Sequence, residues 1–212
     1  MSIEIKRSIK PVDYYKAINE LETRVRQLIE KKDAKELIWF LEHPNIYTAG
    51  SGYDDKDVLD KSIKINKTSR GGKITWHGPG QMICYFAIDL SKRKKDIRKF
   101  ITAIENSIIN SLNNFNINVV SDRNNIGLWH KEGNKVNKVA AIGIRVKKWI
   151  AYHGFSLNIN NELQQYKKII PCGIKEKGIT NLVKIKKQSY KSISSIIEKN
   201  LISLLKIWAF YW

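Results

Sequence analysis

Arg70-Gly71-Gly72-Lys73-Ile74-Thr75-Trp76-His77-Gly78-Pro79-Gly80-Gln81 decides how the rest of the chain is read. Four glycines and a proline within this stretch rule out a continuous helix and disfavour a plain strand, because glycine serves where φ is positive or another group approaches closely. Gly78-Pro79-Gly80 reads as a tight turn, with proline fixing φ and the glycines tolerating the reversal of the backbone. Arg70, Thr75, His77 and Gln81 bring hydrogen-bonding groups to the same run. A glycine-rich hairpin would need none of them, so their convergence points to the wall of a binding site. The spacing matches neither a phosphate-binding P-loop nor a dinucleotide fingerprint.

Apolar segments flank this stretch. Met82-Ile83-Cys84-Tyr85-Phe86-Ala87-Ile88, within Gln81 to Leu90, is nearly continuous in its apolarity, as a strand buried on both faces requires. Glu36 to Leu41 is a second strand, ended by His43-Pro44-Asn45. Ile46 to Gly50 reads as a strand end and turn, and residues 51–64 as a charged loop. Residues 13–32 repeat apolar positions at Tyr14, Ala17, Ile18, Leu21, Val25, Leu28 and Ile29, one stripe of an amphipathic helix with Asp13 as N-cap. A second helix is expected from about Lys92 to Asn114 with Ser91 as N-cap, and a third from about Tyr190 to Trp208. Ile117 to Ser121 and Ile126 to Trp129 read as short strands around Asp122-Arg123-Asn124-Asn125. Lys131 to Asn137 reads as a polar loop. Val139 to Val146 and Trp149 to Ile159 form an expected hairpin around Lys147-Lys148. Helices and strands interleave, so the expected fold is α/β or α+β with a mixed, largely antiparallel sheet and packed helices.

At 212 residues and 42% apolar composition, residues 1–212 are expected to form a single domain with a large core. No apolar run reaches the roughly 18 residues of a membrane span, and Met1 to Lys10 has no apolar h-region, so neither a membrane anchor nor a secretory leader is expected. Two widely separated cysteines argue for a reducing, cytoplasmic compartment rather than a disulfide framework. The net charge of +18 fits an acidic partner or a compositional bias towards lysine, and both readings stay open. A nucleic-acid-binding module is disfavoured because no aromatic-basic stacking face emerges.

Two further clusters carry chemistry. Cys84 lies inside an apolar strand and reads as a small hydrophobe. Cys172, in Ile169-Ile170-Pro171-Cys172-Gly173-Ile174, sits on a turn after a short apolar strand, where a thiol can project into a cleft, though the local pattern alone favours a semi-exposed structural cysteine. Lys138 opens the apolar run Lys138-Val139-Ala140-Ala141-Ile142-Gly143-Ile144-Arg145. His153-Gly154-Phe155-Ser156-Leu157-Asn158 lies on the opposite arm of that hairpin, and Gly143 and Gly154 are placed to flank one pocket floor.

Taken in order, these motifs resemble the octanoyltransferase family of lipoate biosynthesis. The resemblance runs from about Trp39 to Leu182, with Pro44, Tyr47, Thr48 and Gly50 also matching. The sequence departs from it at Trp76, where tyrosine is usual, at Ser156 for alanine and at Asn181 for serine. The resemblance implies the fold of biotin and lipoate protein ligase catalytic domains. It also implies a reaction without metal or cofactor, in which Cys172 forms an acyl thioester and Lys138 assists. Acyl carrier protein would be the donor and a lipoyl domain the acceptor. Arg70, Gly71, Gly72, Lys73, Ile74, Thr75, Trp76 and His77 would line the acyl channel with Ala141, Ile142, Gly143, Gly154, Phe155 and Ser156. Trp76 and Phe155 are the bulky residues expected near its end, with ordinary core packing the alternative for each. The rival on the same fold is an ATP-dependent lipoate or biotin ligase. A Cys–His hydrolase using His77 or His153 is a further alternative.

Overall fold

The computed structural model describes residues 2–31, 34–171 and 177–210; Cys172 lies outside the described residues. The chain opens with β1 (Ile3–Arg7) and α1 (Tyr14–Ile29), continues through β2 (Glu36–Leu41) and β3 (Ile46–Ala49), then β4 (Ile65–Lys67), β5 (Ile74–His77) and β6 (Gln81–Asp89). After α2 (Ile97–Asn113) come β7 (Val120–Ser121), β8 (Leu128–Glu132), β9 (Lys135–Lys147) and β10 (Ile150–Asn158). The short strand β11 (Gly178–Ile179), a helical turn α3 (Leu182–Ile185) and α4 (Ile193–Phe210) complete it.

One large sheet has the order β1-β2-β6-β10-β9-β8-β7, with β11 also pairing with β9. Its β1–β2 and β9–β11 pairs are parallel and the others antiparallel. A smaller sheet, β4-β3-β5, lies beside it. The mixed, largely antiparallel architecture expected from the interleaved pattern is therefore the one observed.

The apolar runs dictate the layering. Both faces of β6 and β10 are buried, which is why these strands lack a polar alternation. Phe86, Ile88, Phe155 and Leu157 meet Phe100, Ile104 and Ile108 of α2 and Ile197, Leu201 and Leu205 of α4 on one face. On the other, Ala17, Leu21, Val25 and Leu28 of α1 cover Trp39, Ile83, Tyr85 and Tyr152. Asp13 caps α1 as expected, its carboxylate accepting from the Lys16 N–H at 3.0 Å. Among the described residues, no helix is long and apolar enough to cross a membrane.

Several boundaries differ from the sequence reading for identifiable reasons. The second helix starts at Ile97, capped by Asp96. Ser91 is taken up in a 3-10 turn whose Asp89 carboxylate it contacts at 2.5 Å, and Arg93 is drawn inward to a buried Glu36 by two hydrogen bonds of 2.6 and 2.8 Å. Lys131 to Asn137 is not a loop: it forms the end of β8, a tight turn and the start of β9. β1 and β4 have no counterpart in the sequence reading. Within the glycine-rich stretch, Ile74–His77 is a strand after all, and only its ends turn. The Gly78–Gln81 turn closes with the Gln81 N–H on the Gly78 carbonyl at 3.2 Å, and Gly80 supplies the required φ of +79°.

The β9–β10 hairpin closes with Lys148 and Trp149 at φ +47° and +66°, the two left-handed positions of a type I′ turn, which favours Asn-Gly. Lys148→Asn is therefore expected to raise stability by roughly 0.5–1 kcal/mol, read as a higher urea midpoint at unchanged m-value. Beyond Ala140, where β8 stops pairing, the outer edge of β9 has no strand partner among the described residues. The glycine-rich loop lies over that edge instead. A Cβ on Gly71 would come within 2.8 Å of the Ile144 carbonyl oxygen, so only glycine allows this approach.

Candidate active site

A cavity of about 500 Å³ opens where the glycine-rich loop covers the free edge of β9. Its lining includes Arg70, Gly71, Gly72, Lys73, Ile74, Thr75 and His77, the β9 residues Ala141, Ile142 and Gly143, and the β10 residues Gly154, Phe155 and Ser156. Lys138 also lines it. The structure thus brings together at one cavity the described site residues expected from sequence, with the exception of Trp76. Strand alternation in β5 puts Trp76 on the face opposite Thr75 and His77, a face it shares with Ile74, which also borders the cavity. Thr75 and His77 face the cavity, while the Trp76 indole packs with Tyr47, Val58, Tyr166 and Ile169, edge-on to Tyr166 at 5.6 Å. Trp76 is core rather than lining, and Phe155 alone of the two expected bulky residues borders the space.

Gly143 and Gly154 face each other across the β9–β10 ladder. A Cβ on Gly154 would lie 1.8 Å from the Cys84 carbonyl oxygen of β6, and one on Gly143 would lie 3.1 Å from the Gly71 carbonyl oxygen. One glycine permits the sheet to close and the other permits the loop to sit on it.

Arg70 is held in place by the Thr48 carbonyl at 2.8 Å, the Thr48 hydroxyl at 2.9 Å and the Gly71 carbonyl at 3.0 Å. Two histidines border the cavity near it. His77 Nδ1 donates to Gln81 Oε1 at 2.7 Å, leaving Nε2 as an acceptor. His153, at φ +69°, meets the Ser69 hydroxyl through Nε2 at 3.1 Å. Burial, with His43 and Arg70 contributing, pushes His77 down to about 3. Burial, with Arg70 and Arg145, pushes His153 down to about 3 as well. Both imidazoles are therefore neutral near pH 7, and each is a weak base.

This burial has a stability consequence. Between pH 6.5 and about 3 the unfolded chain binds protons that these folded histidines refuse, so stability falls as pH drops through that window. His153→Asn keeps a residue that tolerates positive φ and removes one such proton. At pH 5 its unfolding free energy is expected to recover about 2 kcal/mol relative to wild type, compared with pH 7, in urea titrations at the two pH values.

Lys138 is the buried cation of the site, 4% exposed. Its Nζ donates to the Ile126 carbonyl at 3.1 Å and lies 4.6 Å from the centre of the Trp129 ring. Its backbone is clamped by β11, where Ile179 pairs with Lys138 and the Thr180 N–H donates to the Lys138 carbonyl at 3.0 Å. A water-sized void of about 10 Å³ is lined by Lys138, Thr75, Ser156, Tyr166 and Pro171. Pro171 immediately precedes Cys172 in the sequence, so Lys138 and the last described residue before the cysteine border the same small space. Behind it runs a buried polar chain. The Gln81 amide donates to Asn158 Oδ1 at 2.9 Å and to the Tyr166 hydroxyl at 2.7 Å, and the Asn158 amide donates to the Thr180 carbonyl at 3.0 Å. Cys84, fully buried, has its thiol pushed up well above the usual range by burial, as an inert core cysteine should.

Sequence reasoning missed the other side of the cavity: Ile97 and Ile101 of α2, and Asn124, Asn125 and Ile126 from the turn after β7. Both isoleucines belong to the apolar positions of α2. Nothing local distinguished those that face a cavity from those that face the core.

The chain is similar to known proteins in sequence and in fold. Residues 13–201 match the family described as the lipoyl protein ligase A/B catalytic domain. The chain is 43% identical over 174 residues to an octanoyltransferase of Wolbachia pipientis from Culex pipiens, covering 82% of this chain and 84% of that one. It is 42% identical over 193 residues to an octanoyltransferase of Bartonella tribocorum, covering 86% and 78%. Its fold is similar to a bipartite lipoate protein ligase of Thermoplasma acidophilum, with a TM-score of 0.71 at 11% identity, over 97% of this chain and 84% of that one. It is also similar to a lipoate-protein ligase A bound with ATP, with a TM-score of 0.70 at 12% identity, over 97% and 86%.

Proposed function

Since the chain belongs to the octanoyltransferase family and is an acyltransferase, we propose that it takes octanoyl from acyl carrier protein and passes it to a lysine of a lipoyl domain through a thioester on Cys172. The observation that carries this reading is the placement of Lys138, a buried ammonium held in one position beside the acyl-sized cavity and sharing a void with Pro171.

In the first step the Cys172 thiolate attacks the carrier thioester carbonyl. A new carbon–sulfur bond forms, the bond to the carrier sulfur breaks, and the departing thiolate takes its proton from the Lys138 ammonium, which leaves Lys138 neutral for the second step. In the second step the acceptor amine attacks the octanoyl-Cys172 carbonyl, an amide forms and the Cys172 thiolate departs. A free lysine titrates near 10.4, so the acceptor needs a base to lose its proton. Lys138 fills both roles: charged, it favours the thiolate, and neutral, it takes the acceptor's proton. His77 and His153, held unprotonated down to about pH 3, are poor bases for the same task, which weighs against a Cys–His hydrolase. Backbone N–H groups along Ala141–Gly143 and the glycine-rich loop would stabilise the oxyanion. A reducing cytoplasmic setting keeps such a thiol available.

The test is intact mass after mixing with octanoyl-acyl carrier protein. One octanoyl group on the enzyme, chased to the lipoyl domain on its addition, supports the covalent route. Transfer that needs ATP and releases AMP would assign the chain to the ligase reaction instead, and release of free octanoate to a hydrolase.

The cavity also sets an expectation for chain length. Each buried methylene is worth about 0.8 kcal/mol. A six-carbon donor should therefore lose about 1.6 kcal/mol, roughly fifteenfold in kcat/KM, against an eight-carbon one. Equal kcat/KM for both would mean that the chain lies in an open groove.

A further inference from the structure

The turn between β7 and β8 holds more structure than a connection requires. Asp122 Oδ1 accepts from the Asn124 N–H at 2.9 Å and its carbonyl from the Asn125 N–H at 3.1 Å; these bonds alone complete an Asx turn. Its second carboxylate oxygen goes further, accepting from Asn125 Nδ2 at 2.8 Å and from Lys177 Nζ at 2.9 Å. Lys177 immediately precedes β11, the strand that clamps the Lys138 backbone.

The same turn also places two of the groups that contact the Lys138 ammonium. The Ile126 carbonyl at its end accepts from Nζ, and the Asn125 carbonyl accepts from the Trp129 indole N–H at 2.9 Å. Lys177 Nζ lies 4.4 Å from the centre of the same Trp129 ring. The Lys138 main chain is thus fixed by β11, its side chain by the turn, and the Asp122–Lys177 ion pair joins the two. A lysine has four rotatable side-chain bonds, and a base must lie within hydrogen-bond reach of the proton it takes, so such bracing bears on rate. Hydrogen bonds from Asn125, then Lys177, then the Asn124 backbone hold the Asp122 carboxyl well below the usual carboxylate range, so it is an ionised brace at any working pH.

We propose that Asp122 is a positioning residue for acyl transfer, fixing the Lys138 ammonium through the Asp122–Ile126 turn and its link to Lys177. The proposal rests on reading Lys138 as the base. Asp122→Asn leaves one acceptor oxygen where the native carboxylate uses two, so it cannot serve Asn124 on one side and Asn125 and Lys177 on the other.

The experiment measures kcat and KM for transfer from octanoyl-acyl carrier protein to a lipoyl domain, with thermal unfolding, for Asp122→Asn, Lys138→Arg and the double variant. Asp122→Asn is expected to lower kcat about tenfold, as a small misplacement of a reacting group does, with KM unchanged within a factor of about two and Tm within about 3 °C. In the Lys138→Arg background the same change should cost nothing more, because the group it positions is gone. A wild-type kcat in Asp122→Asn, an equal loss in both backgrounds, or a loss that follows Tm would overturn the proposal while leaving Lys138 as base. Wild-type turnover by Lys138→Arg would overturn both. If Asp122→Asn does not fold, Lys177→Gln, which keeps the Asx turn, carries the test. Its kcat should fall about threefold at constant KM, and an unchanged kcat would equally overturn the proposal.

Discussion

Cys172→Ser is expected to lose at least about a thousandfold in octanoyl transfer, whereas Cys84→Ala retains nearly all of it. Cys84 sits in β6, fully buried, with burial holding its proton on, and no reacting group can reach it. Cys172 follows Pro171, which borders the void shared with Lys138. Serine in its place is a far poorer nucleophile, because a hydroxyl lacks the accessible thiolate on which the first step depends. The measurement is intact mass together with rate: Cys172→Ser should acquire no octanoyl group from the carrier, and Cys84→Ala should acquire one. Removing the Cys84 sulfur should cost only about 1 kcal/mol of stability through lost packing. Substantial transfer by Cys172→Ser would end the covalent route and favour direct attack by the acceptor on the carrier thioester.

Lys138→Arg should lose about a hundredfold or more in overall transfer, and the loss should fall on the second step. Arginine keeps the positive charge that favours a thiolate but does not give up its proton, so it cannot act as base. Its planar guanidinium also fits poorly where a single ammonium nitrogen sits 3.1 Å from the Ile126 carbonyl and 4.6 Å from the Trp129 ring centre. The expected signature is an enzyme that still takes up octanoyl from the carrier and then holds it. Mass spectrometry should find the acyl-enzyme accumulated after minutes with a lipoyl domain present, while wild type has turned over. Loss of acyl-enzyme formation itself would reassign Lys138 to the first step, with its proton transfer more important there than its charge.

The sequence is legible where a pattern reports burial directly. The unbroken apolarity of Met82 to Ile88 marks β6 as a strand covered on both faces, and Asp13 before a 3.6-residue stripe marks the start of α1. It is not legible where polar residues lie at a sheet margin. The β8–β9 turn region, Lys131 to Asn137, has the composition of a loop because its strand ends face solvent. The start of α2 differs from its expected place because a buried Glu36 more than fifty residues away claims Arg93, and no local window contains that partner. The glycine motifs make most of the cavity wall legible, since close approach leaves glycines in the sequence. Asn124, Asn125 and Ile126 leave no such mark. Trp76 departs from its expected place because membership of a motif does not fix on which side of a strand a residue points.

The free edge of β9 has a consequence for solubility as well as for the site. An unpaired strand edge is a template on which a second chain can add, and folded proteins cover or charge such edges. Here the glycine-rich loop is the cover, resting on the Ile144 carbonyl through Gly71. A change that lifts the loop, such as a side chain at Gly71, would uncover Ile142 and Ile144 to neighbouring molecules while it spoils the cavity. Its first visible effect in concentrated solution would be self-association along that strand, before any loss of helix or of core packing.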